Sequence, residues 1–229
     1  MSNLKRNGKL RWSPSYLRNR GQLTRAQKRA QRDLWPLYGI PFRFDEVIDP
    51  DDHFPCAGGP LIVEIGFGMG DHLVALAEAL PQRNLLGIEV HRPGIAAAMA
   101  KAHAAGLENV RVMRGDARLV LTDHFKSEIA DAVLIQFPDP WPHPGDAHRR
   151  LVQPGMVGII HKRLRKNGHL LITTDVEVYA NHCREVVLSF PGWKEIGDSD
   201  LSRYRIVTQY EHKAITEGRP IHELKFQKA

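Results

Sequence analysis

The chain has 229 residues, 42% of them hydrophobic, enough to bury a full core as one large domain without disulfides or metals. Its two cysteines, Cys56 and Cys183, lie outside any CxxC pattern, and its 12 histidines lack metal-ligand spacing, so we expect neither a disulfide framework nor a metal site. The net charge is +6, and the sequence shows no secretory signal and no apolar stretch long enough to span a membrane. We therefore expect a soluble cytoplasmic protein with no membrane partner.

All of the excess positive charge lies at the N-terminal end. Residues 1–32 contain ten lysines and arginines and no acid, which leaves 22 basic against 26 acidic residues in the rest of the chain. Such asymmetry indicates a polyanionic partner, and Trp12 and Tyr16 among the bases suit stacking on nucleic acid. The alternative interpretation is a solvated, disordered tail.

A helix is predicted to follow the first part of this basic segment. Thr24 is a plausible N-cap with Gln27 as its capping-box partner, and Pro36 is expected to end the helix. Residues 36–59 contain several prolines and glycines, which disfavour helices and strands. We therefore predict three parts: a basic arm and helix over residues 1–35, a linker over 36–59 and the main domain over 60–229.

From residue 60 onward the sequence alternates between short apolar runs and amphipathic segments. Strands are predicted at 61–66, 84–90, 109–115, 130–137, 168–175 and 221–227, and helices at 71–80, 93–105, 153–166 and 176–190. Strands separated by helices predict an α/β fold, a mostly parallel sheet with helices on both faces. In such sheets ligands bind beyond the carboxyl ends of the strands.

Three glycines at alternate positions, Gly66, Gly68 and Gly70, follow the first of these strands, and such loops let a ligand approach the backbone closely. Dinucleotide-binding enzymes instead show GxGxxG, with a pyrophosphate at the start of the helix. Here Asp71 at that start would repel a pyrophosphate, and Glu64 before the glycines suits a positively charged amino group. S-adenosylmethionine has an amino group and a sulfonium but no phosphate, so the loop favours this cofactor over NAD.

Acidic residues also follow the next strands. Glu89 can accept hydrogen bonds from both ribose hydroxyls of an adenosine cofactor, which would serve NAD equally well, and Asp116 can accept from the adenine amino group. Pro138 and Pro140 restrict the backbone around Asp139 and hold its carboxylate at the strand end. The alternatives are a helix cap, a solvated turn or, for Asp139, a plain proline-rich loop. Together the acids at successive strand ends favour a cofactor site.

Further polar residues lie near the predicted sheet edge without an obvious core role. Arg149 and Arg150 can meet phosphate, and Asp175 ends the strand that reads GHLLITTD. Thr208 and Glu211 precede the last strand. These residues are candidates for contacts with a substrate.

Six stretches carry a close resemblance to one family: VEIGFGMG, GIEVH, GDA, FPDPW, TTDVEVYA and TQYEHKAITEGRPIHELKF. They resemble the motifs of bacterial tRNA (guanine-N7)-methyltransferases, and SPSYLRNRGQLTRAQKRA resembles that family's N-terminal segment. The resemblance covers nearly the whole chain. It implies a Rossmann-like class I S-adenosylmethionine-dependent methyltransferase fold, with tRNA as partner and methylation of a guanine in the variable loop, position 46.

The resemblance also implies roles for individual residues. The catalytic residue would be Asp139, and the cofactor contacts would be Glu64, Gly66, Gly68, Gly70, Glu89, Asp116 and Asp139. The substrate contacts would be His143, Arg149, Arg150, Asp175, Thr208, Gln209, Tyr210 and Glu211. The chain departs from the family at His143, where a lysine is usual, so basic contacts are sparse there until Arg149.

Three rival functions remain open from sequence. A methyltransferase that acts on an amino group would be expected to contain a D/N-P-P-aromatic loop, which DPWP resembles only loosely. An NAD-dependent oxidoreductase would want GxGxxG. A non-catalytic RNA-binding protein would not need acids at the strand ends. The sequence leaves open the choice between a monomer and a homodimer, and which tRNA species are preferred.

Overall fold

The computed structural model describes residues 22–41, 47–202 and 206–229. The basic arm with Trp12 and Tyr16 lies outside the described residues. The helices are α1 Arg25–Tyr38, α2 Asp71–Ala79, α3 Arg92–Ala104, α4 Ala117–Asp123, α5 Pro154–Arg163, α6 Glu177–Ser189 and α7 Gln209–Thr216. The strands are β1 Gly39–Ile40, β2 Leu61–Ile65, β3 Asn84–Glu89, β4 Val110–Arg114, β5 Ala130–Gln136, β6 Leu164–Thr174, β7 Trp193–Glu195 and β8 His222–Lys228.

The strands form one sheet in the order β1-β4-β3-β2-β5-β6-β8-β7. All neighbouring pairs from β1 to β6 are parallel, whereas β8 runs antiparallel to both β6 and β7. The central strand β2 lies between β3 and β5, so the strand order reverses there and a crevice opens at its carboxyl end. The prediction of a mostly parallel α/β sheet is confirmed.

The core lies on both faces of the sheet because side chains alternate along each strand. Val63 and Ile65 of β2 belong to the apolar cluster that contains α4, α5 and α6. Ile62 belongs to the cluster that contains α2 and α3, against which α1 also packs. Helices therefore cover both faces, as predicted, and Glu64 shares the α2 face with Ile62 because the two positions have the same parity.

Helix α1 begins as predicted and ends later than predicted. The backbone N–H of Gln27 donates to Thr24 Oγ1 at 3.2 Å and Thr24 N–H donates to Gln27 Oε1 at 3.0 Å, which confirms the capping box. The predicted end at Pro36 is wrong, because the helix continues to the buried Tyr38. Packing of this last turn against the apolar cluster of α3 outweighs the backbone hydrogen bond that a proline removes.

The structure differs from the sequence-based expectation in three other respects. Gly39 and Ile40, in the segment predicted as a linker, form an edge strand beside Val112 and Met113 of β4. Helix α5 ends at Arg163, and the predicted last helical turn instead starts β6. Helices α4 and α7 and strand β7 were not predicted, since each is shorter than the window over which periodicity can be recognised.

Two negative findings concern the described part of the chain. None of its helices is both long and apolar enough to cross a lipid bilayer. Within residues 22–41, 47–202 and 206–229, no group of three or more His, Cys, Asp or Glu side chains is arranged to hold a metal ion.

Candidate active site

A cleft of about 1140 Å³ opens at the carboxyl ends of β2, β3, β4 and β5. Nine of the predicted site residues line it: Glu64, Gly66, Gly68, Glu89, Asp116, Asp139, Thr208, Gln209 and Tyr210. The other predicted residues, Gly70, His143, Arg149, Arg150, Asp175 and Glu211, do not line it. Its position matches the crevice expected where the strand order of an open sheet reverses.

The glycine loop of the cleft needs glycine at each alternate position. Gly66, Gly68 and Gly70 have φ of 74°, 56° and 80°, a left-handed region that other residues rarely adopt. A Cβ on Gly70 would lie 2.4 Å from the Cβ of Ala98, so the same glycine lets the start of α2 pack tightly on α3. The GxGxG spacing therefore follows from backbone conformation and close packing.

Glu89 holds this loop in place. Its Oε2 accepts from Gly68 N–H at 2.9 Å, and its Oε1 accepts from the N–H groups of Val90 and His91 at 2.6 and 2.8 Å. A carboxylate has about four acceptor positions, which leaves roughly one for a ligand. Two ribose hydroxyls would therefore have to share that position or displace the Gly68 amide.

Two further acids at the loop have basic partners. Glu64 is 1% exposed and its Oε2 lies 3.1 Å from Nδ1 of His72 in α2. Asp71 forms an ion pair with Lys101 of α3, whose ammonium also donates to the carbonyl of Met69 at 3.0 Å. Because Lys101 offsets the charge of Asp71, this side chain would repel a phosphate less strongly than the sequence indicated.

Asp116 has the helix-capping role that was the alternative interpretation of its sequence position. Its Oδ1 accepts from the backbone N–H of Arg118 at 3.0 Å and so caps α4. The guanidinium of Arg118 also donates to both oxygens, at 3.0 and 2.6 Å. The carboxylate lines the cleft nonetheless, and its contact with adenine stays a prediction.

The FPDPW loop after β5 brings Asp139 to the cleft through a strained backbone. Phe137 and Trp141 have φ of 47° and 43°, uncommon values for bulky residues that are found mainly at functional sites. Arg150 holds the loop: its Nε donates to the carbonyl of Pro140 at 3.0 Å and its Nη2 to that of Trp141 at 3.4 Å. The exposed Asp139 is thus presented at the cleft by a rigid turn.

The predicted basic contacts after this loop have different environments. Arg150 is buried and donates to loop carbonyls, which makes it a positioning residue and leaves its guanidinium unsuited to the predicted phosphate contact. Arg149 lies over the ring of Trp141, with 3.4 Å between its Cζ and the ring centroid. His143 is exposed at the start of the short 3-10 helix Pro144–Arg149. The substrate contacts of Arg149 and His143 stay predictions.

The T-x-Y-E block forms the first turn of α7. Thr208 Oγ1 accepts from the N–H of Glu211 at 3.2 Å and caps the helix, and Glu211 is 3% exposed. Tyr210 points outward, 66% exposed, with its ring centroid 6.5 Å from that of Phe137 and the two planes at 22°. The block therefore presents an aromatic face at the cleft while its acid lies inside.

Asp175 is joined to the segment that follows α7. Its Oδ2 lies 2.9 Å from Nη1 of Arg219, whose Nη2 also pairs with Glu217 at 2.9 Å. This pair links the end of β6 to the end of α7. The cleft is lined by the other end of α7, at Gln209 and Tyr210, and the substrate contact of Asp175 stays a prediction.

Helix α1 forms a wall of the cleft that sequence reasoning missed. Gln31 and Trp35 line the cleft together with the glycine loop. No motif marks these two residues, since only the packing of α1 against α3 brings them there. The same helix carries Arg25, Lys28 and Arg29. The described part of the basic N-terminal segment thus lies at the edge of the cleft.

The cleft contains no cysteine among its lining residues. Burial raises the pKa of the Cys183 thiol to about 12, so this side chain stays protonated and unreactive. Cys56 is exposed and does not line the cleft. Chemistry by a thiolate nucleophile is therefore not a function of this cleft.

We expect Gly94→Ala to weaken cofactor binding at least tenfold. A Cβ on Gly94 of α3 would lie 1.9 Å from the carbonyl oxygen of Gly68, so the glycine loop would have to move. Calorimetric titration with S-adenosylhomocysteine measures the effect. Gly155→Ala in α5 is the matched control, because its Cβ would meet nothing within 4 Å. Equal affinities of the two variants would contradict the importance of this contact.

We expect Glu89→Gln to weaken the binding of S-adenosylhomocysteine by roughly 1–3 kcal/mol. The amide of glutamine presents a donor to backbone N–H groups that need an acceptor. The exposed Glu108→Gln is the control. Unchanged affinity of Glu89→Gln in the titration would remove Glu89 from the cofactor site.

A sequence profile described as a putative methyltransferase matches residues 58–224. A tRNA (guanine-N(7)-)-methyltransferase of Salmonella choleraesuis is 38% identical over 225 residues, which make up 96% of this chain and 92% of the relative. The chain belongs to this family. The resemblance found in the sequence motifs is therefore confirmed, and the chain is a methyltransferase by family.

Other members of the family match with similar coverage. A tRNA (guanine-N(7)-)-methyltransferase of Nitrosococcus oceani is 35% identical over 94% of this chain and 90% of its own length. One of Edwardsiella ictaluri is 38% identical over 93% of this chain and 91% of its own length. The chain thus spans nearly the whole length of these family members.

Two solved structures show the same fold at low sequence identity. TrmN from Thermus thermophilus has a TM-score of 0.55 and 17% identity, with 89% of this chain and 48% of that chain covered. The 16S rRNA methyltransferase KamB has a TM-score of 0.55 and 14% identity, with 80% of this chain and 95% of that chain covered. The predicted Rossmann-like class I methyltransferase fold is confirmed for this member of the family.

Proposed function

We propose that the protein transfers a methyl group from S-adenosylmethionine to N7 of a guanine in tRNA, at position 46 of the variable loop. The observation that carries the proposal is that the GxGxG loop and Asp139 of the FPDPW loop line one cleft in a chain that belongs to the tRNA (guanine-N(7)-)-methyltransferase family. An amino methyltransferase, an NAD-dependent oxidoreductase and a non-catalytic RNA-binding protein would not be expected to combine these three features.

The chemistry of the cleft fits a cofactor with positive charge and without phosphate. Carboxylates of Glu64, Glu89 and Asp116 line the side formed by β2, β3 and β4. In our proposal Glu64 accepts from the amino group, Glu89 from the ribose and Asp116 from the adenine amino group, while Gly66 and Gly68 admit the backbone to close contact. The bound cofactor supplies an electrophilic methyl group on its sulfonium.

The proposed reaction needs alignment more than proton transfer. Guanine N7 has a lone pair in the plane of the ring and no proton, so no base has to act before attack. Asp139 accepts from N1–H and from the amino group of guanine and so turns the N7 edge toward the glycine loop. The FPDPW backbone, strained at Phe137 and Trp141, keeps that carboxylate fixed without reorganisation.

The aromatic pair at the cleft offers a surface for the base. A guanine must leave its stack in the tRNA to reach the cleft. Tyr210, exposed beside Phe137, gives such a base a face on which to stack. We propose this stacking role for Tyr210, with Gln209 beside it at the cleft.

In our proposal the tRNA backbone lies along the basic N-terminal segment. Helix α1 carries Arg25, Lys28 and Arg29 and also lines the cleft, so phosphate contacts there would lie next to the reacting base. Arg149 and His143 would extend this surface on the other side of the cleft. We keep the division into a basic arm and helix over 1–35, a linker over 36–59 and a methyltransferase domain over 60–229 as part of the proposal.

One experiment tests the proposed function. The full chain is incubated with S-adenosylmethionine that carries a labelled methyl group and with unmodified bulk tRNA, and the nucleosides are then identified by mass after digestion. We expect 7-methylguanosine as the labelled nucleoside, and mass mapping of ribonuclease fragments of the same tRNA is expected to place it at position 46. Label on an exocyclic amino group would instead support an amino methyltransferase, and tRNA binding without label would support a non-catalytic RNA-binding protein.

A further inference from the structure

A buried acid–base pair lies in the wall of the cleft beneath the glycine loop. Glu64 at the end of β2 is 1% exposed and His72 in the first turn of α2 is 4% exposed. Glu64 Oε2 and Nδ1 of His72 lie 3.1 Å apart, within hydrogen-bond distance. Both residues line the cleft, so a ligand there can reach the pair.

A carboxylate withdrawn from water needs a compensating charge or a proton. Among the described residues, the recorded partner of the Glu64 carboxylate is His72. A pair that holds one proton has the same total charge whether it consists of carboxylate and imidazolium or of carboxyl and imidazole.

Among the described residues, the charged groups near His72 on α2, α3 and β8 have partners of opposite charge. Asp71, next to it on α2, is paired with Lys101 of α3. Glu223 and Lys225 of β8 line, with His72, a gap of about 20 Å³, the size of one water molecule, and lie 3.4 Å from each other. None of these groups replaces the imidazole as the compensating partner of Glu64.

We propose that His72 is a positioning residue for Glu64 whose proton is released when the ammonium group of the cofactor binds. This inference rests on the proposed function. The ammonium N–H then donates to Glu64 and supplies the compensating charge, so the imidazole gives its proton to the solvent and stays as a neutral donor that orients the carboxylate. The ammonium group enters the cleft as one positive charge and one proton leaves it, so the total charge of Glu64, His72 and the ammonium group equals that of Glu64 and His72 before binding.

The sign of the pH dependence follows from this exchange. Because binding releases a proton, affinity for the cofactor rises with pH while the empty pair is protonated, by at most tenfold per pH unit. The opposite trend begins where the free amino group of the cofactor loses its own proton, near pH 7.7–8.0 for an α-amino group.

Calorimetric titration of the full chain with S-adenosylhomocysteine tests the inference, because this ligand carries the same amino group and cannot react. The titration is run at about pH 6.5 in buffers of different ionisation enthalpy, and the slope of heat against that enthalpy gives the number of protons released. We expect a release of close to one proton by the wild type and close to none by His72→Gln, whose amide can still donate to Glu64. His103→Gln, at an exposed histidine of α3 that does not line the cleft, is expected to keep the wild-type proton count.

Two further measurements keep the test decisive. Glu64→Gln removes the buried charge and is expected to abolish proton release independently of how His72→Gln folds. The affinity of the wild type measured from pH 5.5 to 7.5 is expected to rise with pH, and a flat profile would overturn the inference. Equal proton release by the wild type and both variants would overturn the inference alone, whereas failure of the wild type to bind the ligand would overturn the proposed cofactor as well.

Discussion

Asp139→Asn is expected to lower the rate of N7 methylation by about 10²–10³-fold while leaving the fold and cofactor affinity nearly unchanged. The side-chain amide presents a donor where two guanine donors need an acceptor, so the base is no longer held with N7 toward the methyl group. Asp139→Ala is expected to lose activity to a similar degree. Single-turnover methyl transfer at saturating tRNA measures the effect without a contribution from product release.

A matched control and a rival interpretation sharpen this prediction. Asp146→Asn changes a nearby half-exposed acid on the short 3-10 helix, and we expect it to keep normal turnover. If Asp139 served only to stabilise a proline-rich turn, Asn would be nearly neutral and Ala would mainly lower the melting temperature. Near-normal turnover of Asp139→Asn would show that Asp139 is not the guanine acceptor.

Replacing the six lysines and arginines of residues 1–21 with glutamine is expected to weaken tRNA binding strongly and to leave cofactor binding intact. The six are Lys5, Arg6, Lys9, Arg11, Arg18 and Arg20. If each neutralises one phosphate, the slope of log affinity against log salt should become shallower by about 4–5, because each contact contributes roughly 0.7–0.9. Filter binding of tRNA across a salt series measures this slope.

The design of this variant follows from the structure. Leu23 is buried, so a truncation that removed it would disturb packing as well as charge. Lys166→Gln with Lys194→Gln is the control, because both lysines are exposed at the opposite edge of the sheet, where β6 begins. An unaltered salt slope in the six-residue variant would show that the arm does not contact tRNA.

The sheet and the position of the cleft can be predicted from the amino-acid sequence. Alternation of apolar strands with helices predicts parallel strands, and their carboxyl ends meet at one edge for geometric reasons. The acids that end successive strands, Glu64, Glu89, Asp116 and Asp139, therefore had to line one cleft, as they do. The three alternate glycines have the positive φ that only glycine adopts easily. These are local or periodic features, which a single sequence records directly.

The partner of each of these acids, and the residues that complete the cleft, depend on tertiary packing and could not be predicted from the sequence. Pairing of Glu64 with His72 and of Asp71 with Lys101 depends on how α2 and α3 pack on the sheet. Arg150 resembles a surface phosphate contact in sequence, yet it is buried as a donor to the FPDPW loop.

Helix α1 shows the same limit. The helix continues past Pro36 and brings Trp35 to the cleft. Burial of its last turn outweighs the unfavourable effect of proline inside a helix. Contacts between residues distant in sequence have no local signature, since their energy comes from burial and from charges brought together only in the folded chain.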